Sequence, residues 1–328
     1  MRRRGTALAG VALAVSAAAA LAACGSGGGS ATPAGSPAGA TTVKVGIAPI
    51  SDFGQLFVAQ AEGYFAKAGL NVETTTVSSG PEGIAAVQGG SLDVTYSAAL
   101  PLFLAASQGL DLRFLGPGDE QGPGHWVSQL AVSASSRYTT EAQVLATGEK
   151  VGMIGSSSPD AIALDLKLAQ LHVSAKSVPI VPLPVPDLLT ALTTGEVQSS
   201  VPQGPFLPMG QAAKSIRVVD PSFESILGNA VPTGGYVGTT KWLGANKGTV
   251  AAFNKAIAEA TQYINANPAG AAQIINTATK TPASIAKLVV FPEFVSKLSD
   301  ASLQTQITQA HAVGILTASI SASSLFSQ

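Results

Sequence analysis

From Val43 onward the chain alternates short β-branched runs with longer stretches in which apolar residues recur every three or four positions. The first set predicts a strand over 43–47, then a helix over 53–68 opened by Ser51 or Asp52 and stopped by Gly69. A strand over 72–77, a short helix from Pro81 to the Gly89-Gly90 pair and a strand over 92–96 follow, then a helix over 101–108 and a strand over 112–115. The same order returns later: strand 151–154, a helix from Ser158-Pro159 to about 171, strand 178–183, helix 187–193 and strand 197–201. Strands that alternate with helices imply parallel sheets covered on both faces.

The second set repeats the first in sequence as well as in plan. Lys44-Val45-Gly46-Ile47 returns as Lys150-Val151-Gly152-Met153, an offset of 106 residues. The segment from Pro81 to Asp93 aligns with that from Pro186 to Gln198 at an offset of 105. A near-constant offset across two separated segments describes one unit used twice. Thr140 with Gln143 is a capping box before a short helix. The last third is helical in pattern: 248–267, a further helix after Pro268, one from Thr281-Pro282 and one near 299–302. These helices have no strand partners and are expected on the outside of the first lobe. Two short extended segments, 129–133 and 236–239, are placed to carry the chain between lobes as a two-stranded hinge.

The first 42 residues have a different texture. Three arginines (Arg2 to Arg4) precede an Ala/Leu/Val run that ends at Leu21-Ala22-Ala23-Cys24, and a Gly/Ser/Pro/Ala tract follows. A basic start, an apolar stretch and small residues before a cut describe a secretory signal over 1–23. The apolar run is nearly long enough to span a bilayer, so a transmembrane anchor is the competing reading. Ala and Gly dominate it and no basic stop-transfer cluster follows, which favours the signal. The tract over 24–42 reads as a flexible coil with an r.m.s. span of roughly 25 Å.

Composition narrows the function classes. The 328 residues carry a formal net charge of −1 and only 11% charged residues, without the basic footprint of a nucleic-acid binder. Cys24 is the only cysteine, which removes both a disulfide and a nucleophilic thiol. His125, His172 and His311 are scattered, with no second ligand at a metal spacing. Neither a Gly-x-Ser-x-Gly elbow nor a Walker-type phosphate loop is present. No cofactor or metal is expected, and the chain is expected to be no enzyme.

Three stretches carry a family resemblance: Ala61-Glu62-Gly63-Tyr64-Phe65-Ala66-Lys67-Ala68-Gly69-Leu70-Asn71-Val72-Glu73, Gln88-Gly89-Gly90-Ser91-Leu92-Asp93-Val94 and Ala191-Leu192-Thr193-Thr194-Gly195-Glu196-Val197. With Ile264-Asn265-Ala266-Asn267-Pro268, they resemble the solute-binding lipoproteins of ABC importers, in the group handling aliphatic sulfonates, taurine, nitrate and thiamine-pyrimidine precursors. The resemblance covers nearly all of 43–300. It implies an α/β, two-lobed periplasmic-binding-protein type II fold with a two-stranded hinge and a helical C-terminal region. The first lobe would span 43–131 and return at 236–328, with the second lobe over 132–235. It also implies lipidation of Cys24, attachment to the outer face of the cell membrane, a permease partner and a monomer. One departure matters: the family's aromatic-acidic-Pro-Phe run reads Val201-Pro202-Gln203-Gly204-Pro205-Phe206 here, without the acid.

In open α/β sheets ligands bind beyond the carboxyl ends of the strands. That rule selects the loops after each first and third strand. Gly155-Ser156-Ser157-Ser158-Pro159 offers hydroxyls and free N–H groups at a helix start, either an anion site or a plain N-cap. On the first lobe the expected contacts are Ser51, Asp52, Phe53, Ser97, Ala98 and Asp119, with Gln203 on the second. Trp126 and Tyr236 lie beside the expected crossings, placed to stack on a flat ligand or to pack the hinge. The expected activity is capture of a small polar or anionic solute, sulfonate, nitrate or pyrimidine-like, between two lobes. A tethered enzyme on the same scaffold and a ligand sensor without transport are the alternatives.

Overall fold

The β-branched runs assemble into two separate sheets. The computed structural model of the chain describes residues 39–327; Cys24 and the signal segment lie outside the described residues. Strands β1 (Thr41–Ile47), β2 (Leu70–Thr76), β3 (Val94–Ala98) and β4 (Leu112–Gln121) open the first sheet. The second sheet is made of β5 (Leu130–Ser133), β6 (Val151–Met153), β7 (Ile180–Pro182), β8 (Ser199–Ser200) and β9 (Ile216–Asp220). The chain then returns to the first sheet with β10 (Val231–Thr239) and β11 (Glu293–Val295).

The strand orders are β11-β4-β10-β3-β1-β2 and β7-β6-β8-β5-β9. Leaving β11 aside, the two orders are the same. In each sheet the unit's first strand lies between its second and third, all parallel. An antiparallel strand, β10 or β5, comes next, and the unit's fourth strand, β4 or β9, pairs with it. The duplication read from the sequence is thus a duplication of topology.

One pair of glycines shows why the repeated strand reads Lys-Val-Gly. A Cβ on Gly46 would lie 2.7 Å from Leu92 Cδ1 and 2.8 Å from Thr95 Oγ1. A Cβ on Gly152 would meet the equivalent residues, Ser200 Oγ at 3.1 Å and a Val197 methyl at 3.2 Å. In both sheets the third strand and the turn before it press onto the first strand, and only glycine leaves room. Leu92 and Thr95 are themselves buried and cannot swing away. Gly46→Ala is therefore expected to destabilise by about 1–3 kcal/mol, as overpacking does. Gly152→Ala should cost less. Thermal denaturation of the two variants checks the order; equal losses would contradict the contact difference.

Several expected elements change. The helix over 53–68 is instead a 3-10 turn (Ser51–Phe53) followed by helices Gly54–Ala61 and Tyr64–Lys67, broken at Gly63, whose φ is 71°. No side chain caps that turn, so neither Ser51 nor Asp52 has the capping role. The tract assigned to linker reaches into β1, which starts at Thr41. No helix starts at Thr281-Pro282: a short 3-10 turn (Ala286–Leu288) leads instead to β11, which adds to the edge of the first sheet beside β4. The final long helix, Asp300–Ala312, is capped by Ser299 as expected. It is not confined to the outside of the first lobe. Its Leu303 and Ile307 join one apolar cluster with Leu100 and Phe103 of the first lobe and Leu164 and Leu168 of the second. Gln306 donates to the Pro232 carbonyl at 2.7 Å and Gln309 to that of Leu227 at 3.2 Å.

The crossings also move. Leu130–Ser133 lies wholly in the second sheet, and Val231–Thr239 wholly in the first, where Tyr236 pairs with Tyr96. The connections are 122–129 and 221–230; the first meets the segment 129–133 expected from sequence only at residue 129, and the second precedes 236–239. They run side by side: Phe223 N–H donates to the Ser128 carbonyl at 3.2 Å. Among the described residues no helix is long and apolar enough to cross a membrane.

Candidate functional site

The carboxyl ends of β1, β2, β3 and β6 converge on a cavity of about 400 Å³ between the two lobes. Each lobe offers a serine-proline helix start. On the first, Ser78-Ser79-Gly80-Pro81 leads into the Gly80–Gln88 helix, where Ser79 caps the Glu82 N–H at 3.3 Å. On the second, Ser156-Ser157-Ser158-Pro159 leads into the Pro159–Gln170 helix. Ser158 occupies the N-cap position, but its hydroxyl donates to the Gly155 carbonyl at 3.2 Å and does not cap the helix. Both helix starts already hold an acid from their own first turn, Glu82 and Asp160. The positive end of each dipole is thus matched from within the chain.

The floor of the cavity is acidic. Asp52 comes from the turn after β1, Asp160 from the helix after β6, and Glu224 from the second hinge connection. All three are buried. Burial pushes the Asp52 carboxyl up to about 6, and the charge of Asp160 across the cleft adds to the rise. Ser51, at 3.4 Å, is a weak donor to it. Glu224 is raised well above the usual carboxylate range by burial and then by the charge of Asp160. Asp160 is raised too, by burial, while hydrogen bonds from Glu224, Ser128 and Ser158 oppose the rise.

Two glutamines tie this floor to the hinge. Gln121, the last residue of β4, accepts the Val127 and Ser128 N–H groups at 2.9 Å with Oε1. Its amide donates to Ser128 Oγ at 3.1 Å and to Glu224 Oε2 at 3.0 Å. Gln203 donates to Ser128 Oγ at 3.3 Å and to Asp160 Oδ2 at 3.2 Å. Both hinge connections and the second lobe therefore meet in one buried polar network, in which a change at the carboxyls is felt at the hinge.

Seven of the expected contact residues face the cavity: Asp52, Phe53, Ala98, Ser156, Ser157, Ser158 and Gln203. Five do not. Asp119 is fully buried behind the cleft, where the Tyr96 hydroxyl donates to it, and burial raises its pKa well above the usual range. Tyr236 is fully buried between Tyr96 and Phe253 in the core of the first lobe. Trp126 packs against the apolar cluster shared by both lobes. Ser97 is buried, with its hydroxyl on the Ala98 carbonyl at 3.0 Å, and Ser51 is buried under Asp52. The sequence reading missed Ser78, Asp160, Gln121, Glu224 and Thr233. Ser78 had a signal, since Ser-Gly-Pro after β2 mirrors Ser-Ser-Pro after β6, but the loops after second strands were left out of the search.

Comparison with known proteins supports this architecture. The chain superposes on the alkanesulfonate-binding protein SsuA from Xanthomonas axonopodis pv. citri, bound to MOPS, with a TM-score of 0.73 at 15% identity, covering 88% of this chain and 98% of that one. The periplasmic aliphatic sulphonate binding protein SsuA from Escherichia coli gives 0.69 at 17% identity, over 87% and 97%. The periplasmic nitrate-binding protein NrtA from Synechocystis PCC 6803 gives 0.69 at 16%, over 85% and 83%. These likenesses establish the two-lobed periplasmic-binding fold. No curated protein matches the sequence. The NMT1-like family matches residues 36–279, most of the chain, and the protein belongs to that family.

Proposed function

We propose that the protein is a solute-binding receptor of an ABC importer, held by a lipid on Cys24 at the outer face of the cell membrane, and that it closes its two lobes on a small polar solute and presents it to a permease. The observation that carries this reading is the cavity itself, walled by residues of both lobes and floored by the hinge. Such a geometry couples binding to closure, because a ligand favours the closed state only through contacts that both lobes make.

The chemistry of the cavity supports binding over catalysis. None of the three histidines lines it; His125 lies on the hinge, with Nδ1 3.0 Å from the Phe291 carbonyl. The Ser78 hydroxyl is spent on Glu82, an exposed carboxylate whose pKa that hydrogen bond lowers, which makes it a poor base. The Ser158 hydroxyl lies on the Gly155 carbonyl and beside the Asp160 carboxyl, two acceptors that share its one proton.

The test is native mass spectrometry of protein purified without denaturation, followed by identification of any released solute. A mass shift lost on denaturation, and uptake of that solute that requires the neighbouring permease, is the expected result. The Ser156→Ala, Ser157→Ala double variant should bind that solute about tenfold or more weakly, as loss of one or two hydrogen bonds implies. Unchanged affinity would remove the second-lobe serines from the site.

A further inference from the structure

The cavity carries more information than its position. Among the described residues no lysine, arginine or histidine lines it, whereas three buried carboxyls do. The cation on the second-lobe helix, Lys167, is taken up by Glu141 at 2.9 Å and Asp220 at 2.8 Å, away from the cleft. Thr233, on the hinge-side end of β10, lines the cavity; the residue is only 7% exposed and its hydroxyl is buried without a hydrogen-bond partner. Oδ1 of Asp160, 1% exposed, meets no amide or backbone donor; only the Ser128 and Ser158 hydroxyls and the Glu224 carboxyl lie beside this carboxylate. Buried polar atoms are nearly always paired, so an unpartnered hydroxyl on a cavity-lining residue beside an under-donated carboxylate points to a group that completes them. Beside the serines of the two helix starts, the wall carries apolar side chains: Ile50, Phe53, Val77, Pro101, Pro182 and Val185.

Resting on the receptor reading above, we propose that the cleft takes a small organic solute with a nitrogen donor head, a protonated amine or amidine, on a largely apolar body, and that this head closes the lobes by sitting between Asp52 and Asp160. Asp52 belongs to the first lobe and Asp160 to the second. In the empty cleft the two carboxyls repel each other and favour opening. A cation between them turns that repulsion into attraction to both lobes. The N–H groups of the head also supply donors to Asp160 Oδ1 and Thr233 Oγ1. A sulfonate or nitrate in the same place would add a third negative charge to a buried acidic floor, with no counter-ion and with both helix starts already matched by their own acids. A metal ion is a poorer fit: among the described residues no three His, Cys, Asp or Glu side chains come together to hold one.

The experiment uses one aromatic body with four heads: benzylammonium, benzamidinium, benzoate and benzenesulfonate, with nitrate as a fifth probe. Melting temperature and small-angle scattering are recorded for each against the purified protein. Benzylammonium or benzamidinium is expected to raise the melting temperature and reduce the radius of gyration, and the anions to do neither. Asp52→Asn should weaken the cationic probe at least tenfold; this substitution removes a buried charge and leaves the fold intact. Stabilisation by an anion and not by a cation would overturn the inference while leaving the receptor reading standing. So would a cationic probe that binds Asp52→Asn undiminished. Indifference to every probe would also overturn it, and the receptor reading would still answer to the charge-independent search for a released solute.

Discussion

Tyr236→Ala should lower stability by about 3–5 kcal/mol, the range for emptying an aromatic site in a packed core. Tyr236 has no exposed surface. Its ring meets Tyr96 edge-on at 5.7 Å and Phe253 at 5.2 Å, and its strand, β10, is paired on both sides. Neighbours fixed on both sides cannot collapse into the space left behind, so the cost belongs in the upper part of that range. For a chain of this size the melting temperature should fall by on the order of 10 °C. Tyr236→Phe is the informative control. The Tyr236 hydroxyl is buried, with the Leu56 backbone N–H as its neighbour, so its removal should cost about 1 kcal/mol, far less than loss of the ring. The sequence alone left a second possibility, that this tyrosine stacks on a ligand at the hinge. In that case Tyr236→Ala would spare stability and weaken solute binding, the opposite pattern. Thermal denaturation of the two variants separates the readings.

The case of Tyr236 shows what the sequence could express. The repeat was legible because it is written in local chemistry: a glycine that must admit a third-strand side chain, and a proline at the first turn of a helix. The capping box at Thr140 and the Ser299 cap were legible for the same reason. Which strand a given aromatic joins is not local. Tyr236 looks like a hinge residue until β10 is seen to run antiparallel between β3 and β4, so the placement of the crossings depended on pairing that no short window contains. β11 was missed because three residues after a proline give no periodicity to read. The site divides in the same way. Ser156, Ser157 and Ser158 follow a strand and open a helix, which is a pattern. Glu224 lies in a turn over Phe223–Leu227 with no periodicity to read, and Gln121, 103 positions earlier, ties it into the floor of the cleft.

The acidic floor leads to the second large effect, an unusual dependence of the empty protein on pH. Asp52 titrates near 6 in the folded chain, against 3.8 for the unfolded reference. A carboxyl whose pKa is raised by folding holds its proton more tightly in the folded state. Below the lower value both states are protonated and nothing is lost; as pH rises through the upper one, the folded state must bear a buried charge. The empty protein should therefore lose stability between about pH 4 and pH 7, on the order of 3 kcal/mol from Asp52 alone. Asp160, Glu224 and Asp119 are raised by burial as well and push in the same direction. Ordinary acid denaturation runs the other way, so the sign is diagnostic. Asp52→Asn keeps the shape and removes the charge; it should match the parent near pH 4 and exceed it by up to about 3 kcal/mol at pH 7.5. Melting temperatures of both proteins at pH 4.5, 6 and 7.5 provide the check, and a gap between them that does not change with pH would show that Asp52 is not the group responsible. A solute that brings a positive charge to the cleft should narrow that gap by stabilising the parent at pH 7.5. The penalty stored in the empty site is then the same free energy that ligand binding releases to close the lobes.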